Sequence, residues 1–114
     1  MPHRVLITGG AGFIGCNLVE YILRNTTWGV RVIDNFSTSP RGYIEQAMKS
    51  GPRRVEIING DICDQRIIKK GIDGCDFVVN LAAQTGVIPS QNDPLYDARV
   101  NILGLLNILE GGRY

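Results

Sequence analysis

The sequence predicts an α/β fold, a doubly wound parallel sheet with helices on both faces, and three observations carry that expectation. Short apolar runs alternate with segments of helical periodicity along the chain, the pattern of βαβ units. The first apolar run empties directly into a cluster of glycines that opens a helix. The fourth, Phe77 to Leu81, is nearly continuous in apolar residues, as a strand covered on both faces should be.

In order, Arg4 to Thr8 reads as the first strand. Phe13 to Arg24 reads as a helix with Phe13, Leu18, Val19 and Ile22 on its apolar stripe. Thr26 to Gly29 breaks that helix, and Val30 to Ile33 is the second strand. Asp34 to Arg41 is polar and punctuated by Pro40, hence a loop, and Tyr43 to Lys49 is a short helix closed by Ser50-Gly51-Pro52. Val55 to Ile58 is the third strand, and Asp64 is placed to cap a helix over Gln65 to Lys70 that stops at Gly71. After the fourth strand, Ala82 to Asn92 is a long loop. Asp93-Pro94 then supplies an N-cap and a first-turn proline for a last helix. That helix runs to Glu110, with Leu95, Ile102, Leu105, Leu106 and Leu109 on one side, and Gly111-Gly112 ends it. Right-handed crossovers leave few topologies for these elements. The expected strand order is 3-2-1-4, with a switch point between strands one and four and ligands beyond the carboxyl ends of the strands.

A chain of 114 residues is expected to form one domain, spanning 1–114. Its formal charge is +1 with both signs scattered, which is not the footprint of a nucleic-acid binder. No apolar run approaches the roughly 18 residues of a membrane span, and Val5-Leu6-Ile7 is too short for a signal-peptide core, so the expected compartment is the cytoplasm. Cys16, Cys63 and Cys75 form no Cys-x-x-Cys, and His3 is the single histidine, so no metal site is expected. The three thiols are expected to be reduced and mostly buried.

The strongest motif is Thr8-Gly9-Gly10-Ala11-Gly12-Phe13-Ile14-Gly15. Gly9, Gly12 and Gly15 fall between a strand and a helix, where glycine permits the tight turn, the approach of a pyrophosphate to the backbone, and close helix–strand packing. The helix start then offers N–H groups and a partial positive charge to phosphates. The absence of a following Gly-Lys-Ser/Thr excludes a phosphate loop of the NTPase type. Asp34 ends the second strand about 20 residues past the glycines, where an acid hydrogen-bonds the adenosine ribose. A carboxylate there repels a 2′-phosphate, which favours NAD over NADP.

These residues resemble the extended short-chain dehydrogenase/reductase family with its Rossmann-type fold, in the NAD-dependent nucleotide-sugar epimerase/dehydratase branch. The glycine segment matches its opening motif. Asp34-Asn35-Phe36-Ser37-Thr38-Ser39 is similar to its ribose loop, and Gly60-Asp61-Ile62 to the segment that reaches the adenine amine. Leu81-Ala82-Ala83-Gln84 resembles the segment that lines the cofactor, and Asn101, Gly104 and Asn107 its Asn-x-x-Gly-x-x-Asn helix. Asn80 stands where His is common, a difference expected to matter little.

The resemblance implies bound NAD. Gly9, Gly12, Phe13, Ile14 and Gly15 would lie at the pyrophosphate, and Asp34, Asn35, Ser37 and Thr38 at the ribose. Asp61 and Ile62 would lie at the adenine, with Leu81, Ala82, Ala83 and Gln84 along the cofactor. It further implies a nucleotide-sugar substrate, a supporting role for Asn101 in the active site, and self-association, in the family as a homodimer. From the residues alone, the lesser alternatives are a turn residue for Asp61 and a surface amide for Asn101; Ala82 and Ala83 can serve packing as well, and Asn107 reads as structural.

The family's catalytic Tyr-x-x-x-Lys has no counterpart. Asn25, Ala47 and Val100 stand four residues after Tyr21, Tyr43 and Tyr96, and Tyr114 is the last residue given. No catalytic residue is therefore carried over. The expected function is the NAD-binding portion of an enzyme working by transient hydride transfer. A binding module without chemistry and a portion of an extended-family reductase are the alternatives.

Overall fold

The computed structural model describes residues 3–36, 41–82 and 104–112. Within them the chain forms β1 (Arg4–Thr8), α1 (Phe13–Asn25), β2 (Gly29–Asp34) and α2 (Arg41–Met48). A 3₁₀ turn (Pro52–Arg54) leads into β3 (Val55–Asn59), followed by α3 (Gln65–Ile72), β4 (Phe77–Asn80) and α4 (Gly104–Gly112). The four strands form one parallel sheet in the order β3-β2-β1-β4, as the sequence predicts. In register, Val5 lies beside Val30 and Phe77, and Val30 beside Val55.

Because side chains alternate along a strand, the sheet buries two separate sets. Val5, Ile7, Val30 and Val32 pack under α1 and α2, against Val19, Ile22, Leu23, Ile44 and Ala47. Leu6, Ile33 and Ile58 pack on the other face with Ile62, Ile68 of α3 and Ile108 of α4. Each helix covers its own face, which is what doubly wound means physically.

Arg31 shares the second face with Ile33 and is buried. Its Nη1 donates to the carbonyls of Gly71 (2.8 Å) and Asp73 (2.6 Å), while Nε pairs with Glu56 Oε2 at 3.0 Å. A cation thus sits where the negative end of α3 and its unpaired carbonyls need one. Arg54 does the same for α1, donating to the carbonyls of Leu23, Thr26 and Trp28. Asp64 caps the start of α3 as expected, accepting from the Arg66 N–H at 2.9 Å.

Several expectations need correction. Gly71 does not end α3, which continues to Ile72. Gly71 is buried against β2, where an added Cβ would lie 2.4 Å from Ile33 Cδ1, so the glycine is a contact point between helix and sheet. The buried stripe of α1 is Gly15, Cys16, Val19, Ile22 and Leu23, and Phe13 is 83% exposed. β4 is not covered on both faces, since Phe77 and Val78 are 47% and 37% exposed at the open edge of the four-stranded sheet. In α4 the residues turned inward are Asn107 and Ile108, whereas Leu105, Leu106 and Leu109 are exposed, and the helix includes Gly111 and Gly112. Only Cys16 of the thiols is buried, and none of the three is in a disulfide. The expected loop and helix start between Ala83 and Leu103 lie outside the described residues.

Candidate functional site

The carboxyl ends of β1, β2 and β4 converge on the glycine loop. The Gly9 N–H donates to Ile33 O at 2.8 Å, and the Leu81 N–H to Thr8 O at 2.9 Å, so the loop is sewn to both neighbouring strands. Gly9 has φ of +72°, and a Cβ there would lie 2.7 Å from Ala82 N, so both its conformation and its neighbour require glycine. At Gly15 a Cβ would lie 2.4 Å from Gly9 O, which brings the start of α1 flat onto the loop. Gly12 is the N-cap of α1 with extended backbone and no side-chain cap, and the first turn carries no acid.

The first helical hydrogen bond shown at this end runs from the Cys16 N–H to Gly12 O at 2.9 Å. The N–H groups of Phe13, Ile14 and Gly15 therefore have no acceptor inside the helix. They form an uncapped, positively polarised end without a competing carboxylate, which is the electrostatics a pyrophosphate requires. The side chains of Phe13 and Ile14 stand exposed around it. Cys16 lies beneath, its thiol donating to Gly10 O at 3.4 Å; burial, and next the Asp34 carboxylate, raise its pKa and keep it protonated.

Asp34 closes the loop from β2. Its Oδ2 accepts from the Ala11 N–H at 3.0 Å and its Oδ1 from the Phe36 N–H at 2.7 Å. The carboxylate is half-buried at the rim, with one oxygen fixed by the glycine loop and the other by the chain after β2. Phe36 takes a positive φ of 58°, rare for a bulky residue, and Arg41 lies over its ring. Asn35 is exposed next to it, and Ser37 and Thr38 lie outside the described residues.

Beside Asp34, in the turn after the adjacent β3, Asp61 Oδ1 accepts from the Cys63 N–H at 2.9 Å, so the turn role is present. The Ile62 side chain belongs to the second core. Asn107 of α4 donates from one amide nitrogen to Ile62 O (3.1 Å) and Cys63 O (2.9 Å), a structural role in which it ties the helix to that turn. Leu81 and Ala82 are half-buried at the end of β4, each against a different core. Ala83, Gln84 and Asn101 lie outside the described residues.

Two contributors escaped sequence reasoning. Asn80 Oδ1 accepts from the Thr8 hydroxyl at 2.5 Å, tying β4 to β1 directly under the glycine loop. Phe36 had no local signal beyond following Asp34-Asn35.

A glycine-lined helix start after β1, facing an acid at the end of the adjacent β2 in a 3-2-1-4 sheet, defines, as a class, the dinucleotide half of a Rossmann-type protein. Comparison with known proteins narrows the class. The chain belongs to the GDP-mannose 4,6 dehydratase family, whose model matches residues 6–114. It is 36% identical over 112 residues to a dTDP-glucose 4,6-dehydratase of Streptomyces niveus, covering 94% of this chain and 33% of that one. It superposes on the UDP-glucose-4-epimerase of Stenotrophomonas maltophila, solved with bound NAD and formylated UDP-arabinopyranose. That match has a TM-score of 0.83 and 28% identity and covers 97% of this chain and 33% of that one. The dTDP-glucose 4,6-dehydratase DesIV of Streptomyces venezuelae, solved with NAD, gives a TM-score of 0.85 at 28% identity, over 95% and 35%. The chain thus spans about a third of the length of the relatives it matches. Among the described residues no helix is long and apolar enough to cross a membrane.

Proposed function

We propose that this chain is the NAD-binding portion of a nucleotide-sugar epimerase or dehydratase. The observation that carries the reading is the bond from Ala11 N–H to Asp34 Oδ2, which fixes an acid at the ribose position against a glycine loop that ends in an uncapped helix start. The residues present fit the dinucleotide. The backbone N–H groups of Phe13, Ile14 and Gly15 would hold the pyrophosphate. Asp34 and Asn35, with Ser37 and Thr38, would hold the adenosine ribose, and the Asp61–Ile62 turn the adenine. Leu81 and Ala82, continued by Ala83 and Gln84, would run along the cofactor toward its nicotinamide, with Asn101 in support of the active site.

NAD, when bound, supplies a reversible acceptor for a hydride from a sugar carbon. The residues of this chain bind and orient, and none of them is assigned the acid or base. The substrate of the whole protein is proposed as a nucleotide sugar, because the nucleotide-sugar relatives match across nearly the whole chain. Calorimetric titration of the folded chain with NAD, NADP and AMP tests the cofactor assignment. NAD is expected to bind more tightly than NADP, and a preference for NADP, or no binding, would sink it.

A further inference from the structure

Asp34 receives one backbone N–H on each carboxylate oxygen, from Ala11 on Oδ2 at 3.0 Å and from Phe36 on Oδ1 at 2.7 Å. A carboxylate oxygen offers about two acceptor sites. One site on each oxygen is therefore left over among the described residues, a pair that suits the two neighbouring hydroxyls of a ribose. The two donors are secured differently. Ala11 is buried in the glycine loop and belongs to the first core. Phe36 follows β2 with a positive φ of 58°, which a bulky residue keeps only where its surroundings enforce it. Its side chain supplies the enforcement: it packs against the first core, and the guanidinium carbon of Arg41 lies 4.3 Å from the centroid of its ring. The torsion φ relates a residue's N–H to its side chain, so with the ring held, this value is what turns the N–H toward Asp34.

We infer that Phe36 is a positioning residue of the nucleotide site: its anchored ring holds a left-handed backbone, and that backbone holds the Asp34 carboxylate ready for the ribose. This role rests on the NAD reading above and acts wholly through Asp34. With both oxygens fixed before the nucleotide arrives, no side-chain freedom of the acid is lost on binding. A residue without the ring has nothing to keep φ positive. On its return to negative φ the N–H turns away from Asp34, and the carboxylate keeps a single backbone donor, Ala11. Glycine is the exception, because it takes positive φ without a steric penalty.

The test is titration of NAD into the native chain and into Phe36→Tyr, Phe36→Ala, Phe36→Gly, Asp34→Ala and Asp34→Ala/Phe36→Ala, each checked for folding by circular dichroism. Phe36→Tyr keeps the ring and should bind as the native chain does. Phe36→Ala should bind about tenfold more weakly, the scale of one hydrogen bond to a charged acceptor. Phe36→Gly should bind more tightly than Phe36→Ala, the reverse of the order that chain flexibility alone would give. In the Asp34→Ala background, adding Phe36→Ala should leave the affinity unchanged, because the two residues act as one unit. If Phe36→Ala does not fold, Phe36→Val carries the same comparisons, since it keeps apolar bulk and tolerates positive φ least. No loss in Phe36→Ala, a glycine variant that binds no better than the alanine one, or a loss that persists in full without the Asp34 carboxylate overturns the inference while leaving the NAD reading intact. Failure of the folded native chain to bind NAD overturns both.

Discussion

At the level of single residues, the glycines of the loop divide into two kinds. Gly12 has φ of −76°, a conformation open to any residue, whereas Gly9 and Gly15 are packed against backbone. Gly12→Val should therefore leave the thermal melt nearly unchanged and abolish NAD binding, because its side chain would occupy the pyrophosphate's place. Gly15→Ala should lower stability by about 1–3 kcal/mol, the usual cost of overpacking. Urea denaturation of the two variants beside NAD titration separates these outcomes, and a Gly12→Val chain that binds normally would reduce the loop to a turn. Asp34→Ala should weaken NAD binding by about 1–3 kcal/mol, the cost of leaving polar partners unmatched in a half-buried site. Equal affinity in mutant and parent would remove Asp34 as the ribose ligand. The glycines and Asp34 were legible in the sequence because each answers to a local demand of backbone geometry or register. Asn80 and Phe36 were not, since a hydroxyl 72 residues away and a ring stacked under Arg41 leave no trace in spacing.

Among the elements, β2 does more than contribute a strand. Arg31 reaches from it to the C-terminus of α3 and fixes how that helix lies on the sheet. Arg31→Met keeps much of the apolar stem but strips the carbonyls of Gly71 and Asp73 of their donor. The expected loss is about 2–3 kcal/mol, read as a shift of the urea midpoint, with Arg31→Lys intermediate. A shift no larger than that of an exposed control such as Arg66→Met would argue against the cap. The apolar runs made the strands legible almost to the residue, because a strand buried under helices must be apolar and short. The ends and faces of helices were less so. Gly71 was read as a stop signal, yet the tertiary contact with Ile33 overrides its low helix propensity. Phe13 looked like a core residue and lies at the mouth, because the stripe of α1 is set by what packs beneath Gly15.

For the molecule as a whole, both faces leave apolar surface uncovered toward β4 among the described residues. Phe77 beside Val5 on the first face, Val78 beside Leu6 on the second, and Leu105, Leu106 and Leu109 of α4 are exposed. An apolar strand with an open edge is a template for pairing with another copy. Light scattering over a range of concentrations should show a mass that grows with concentration, and Val78→Lys should reduce it. A monomer at every concentration would count against the expectation. Asn107, finally, makes a lever of α4. By tying that helix to the carbonyls of Ile62 and Cys63, it joins a segment with no assigned part in nucleotide binding to the turn that carries Asp61. Whatever steadies the turn must then steady the helix by the same free energy, and the dependence runs both ways. Adenosine nucleotides should slow amide hydrogen exchange in residues 104–112, and Asn107→Ala should erase that protection and weaken nucleotide binding together. Occupancy at one rim of the sheet would thereby be reported, as a change of breathing rate, in residues 104–112, to which no nucleotide contact is assigned.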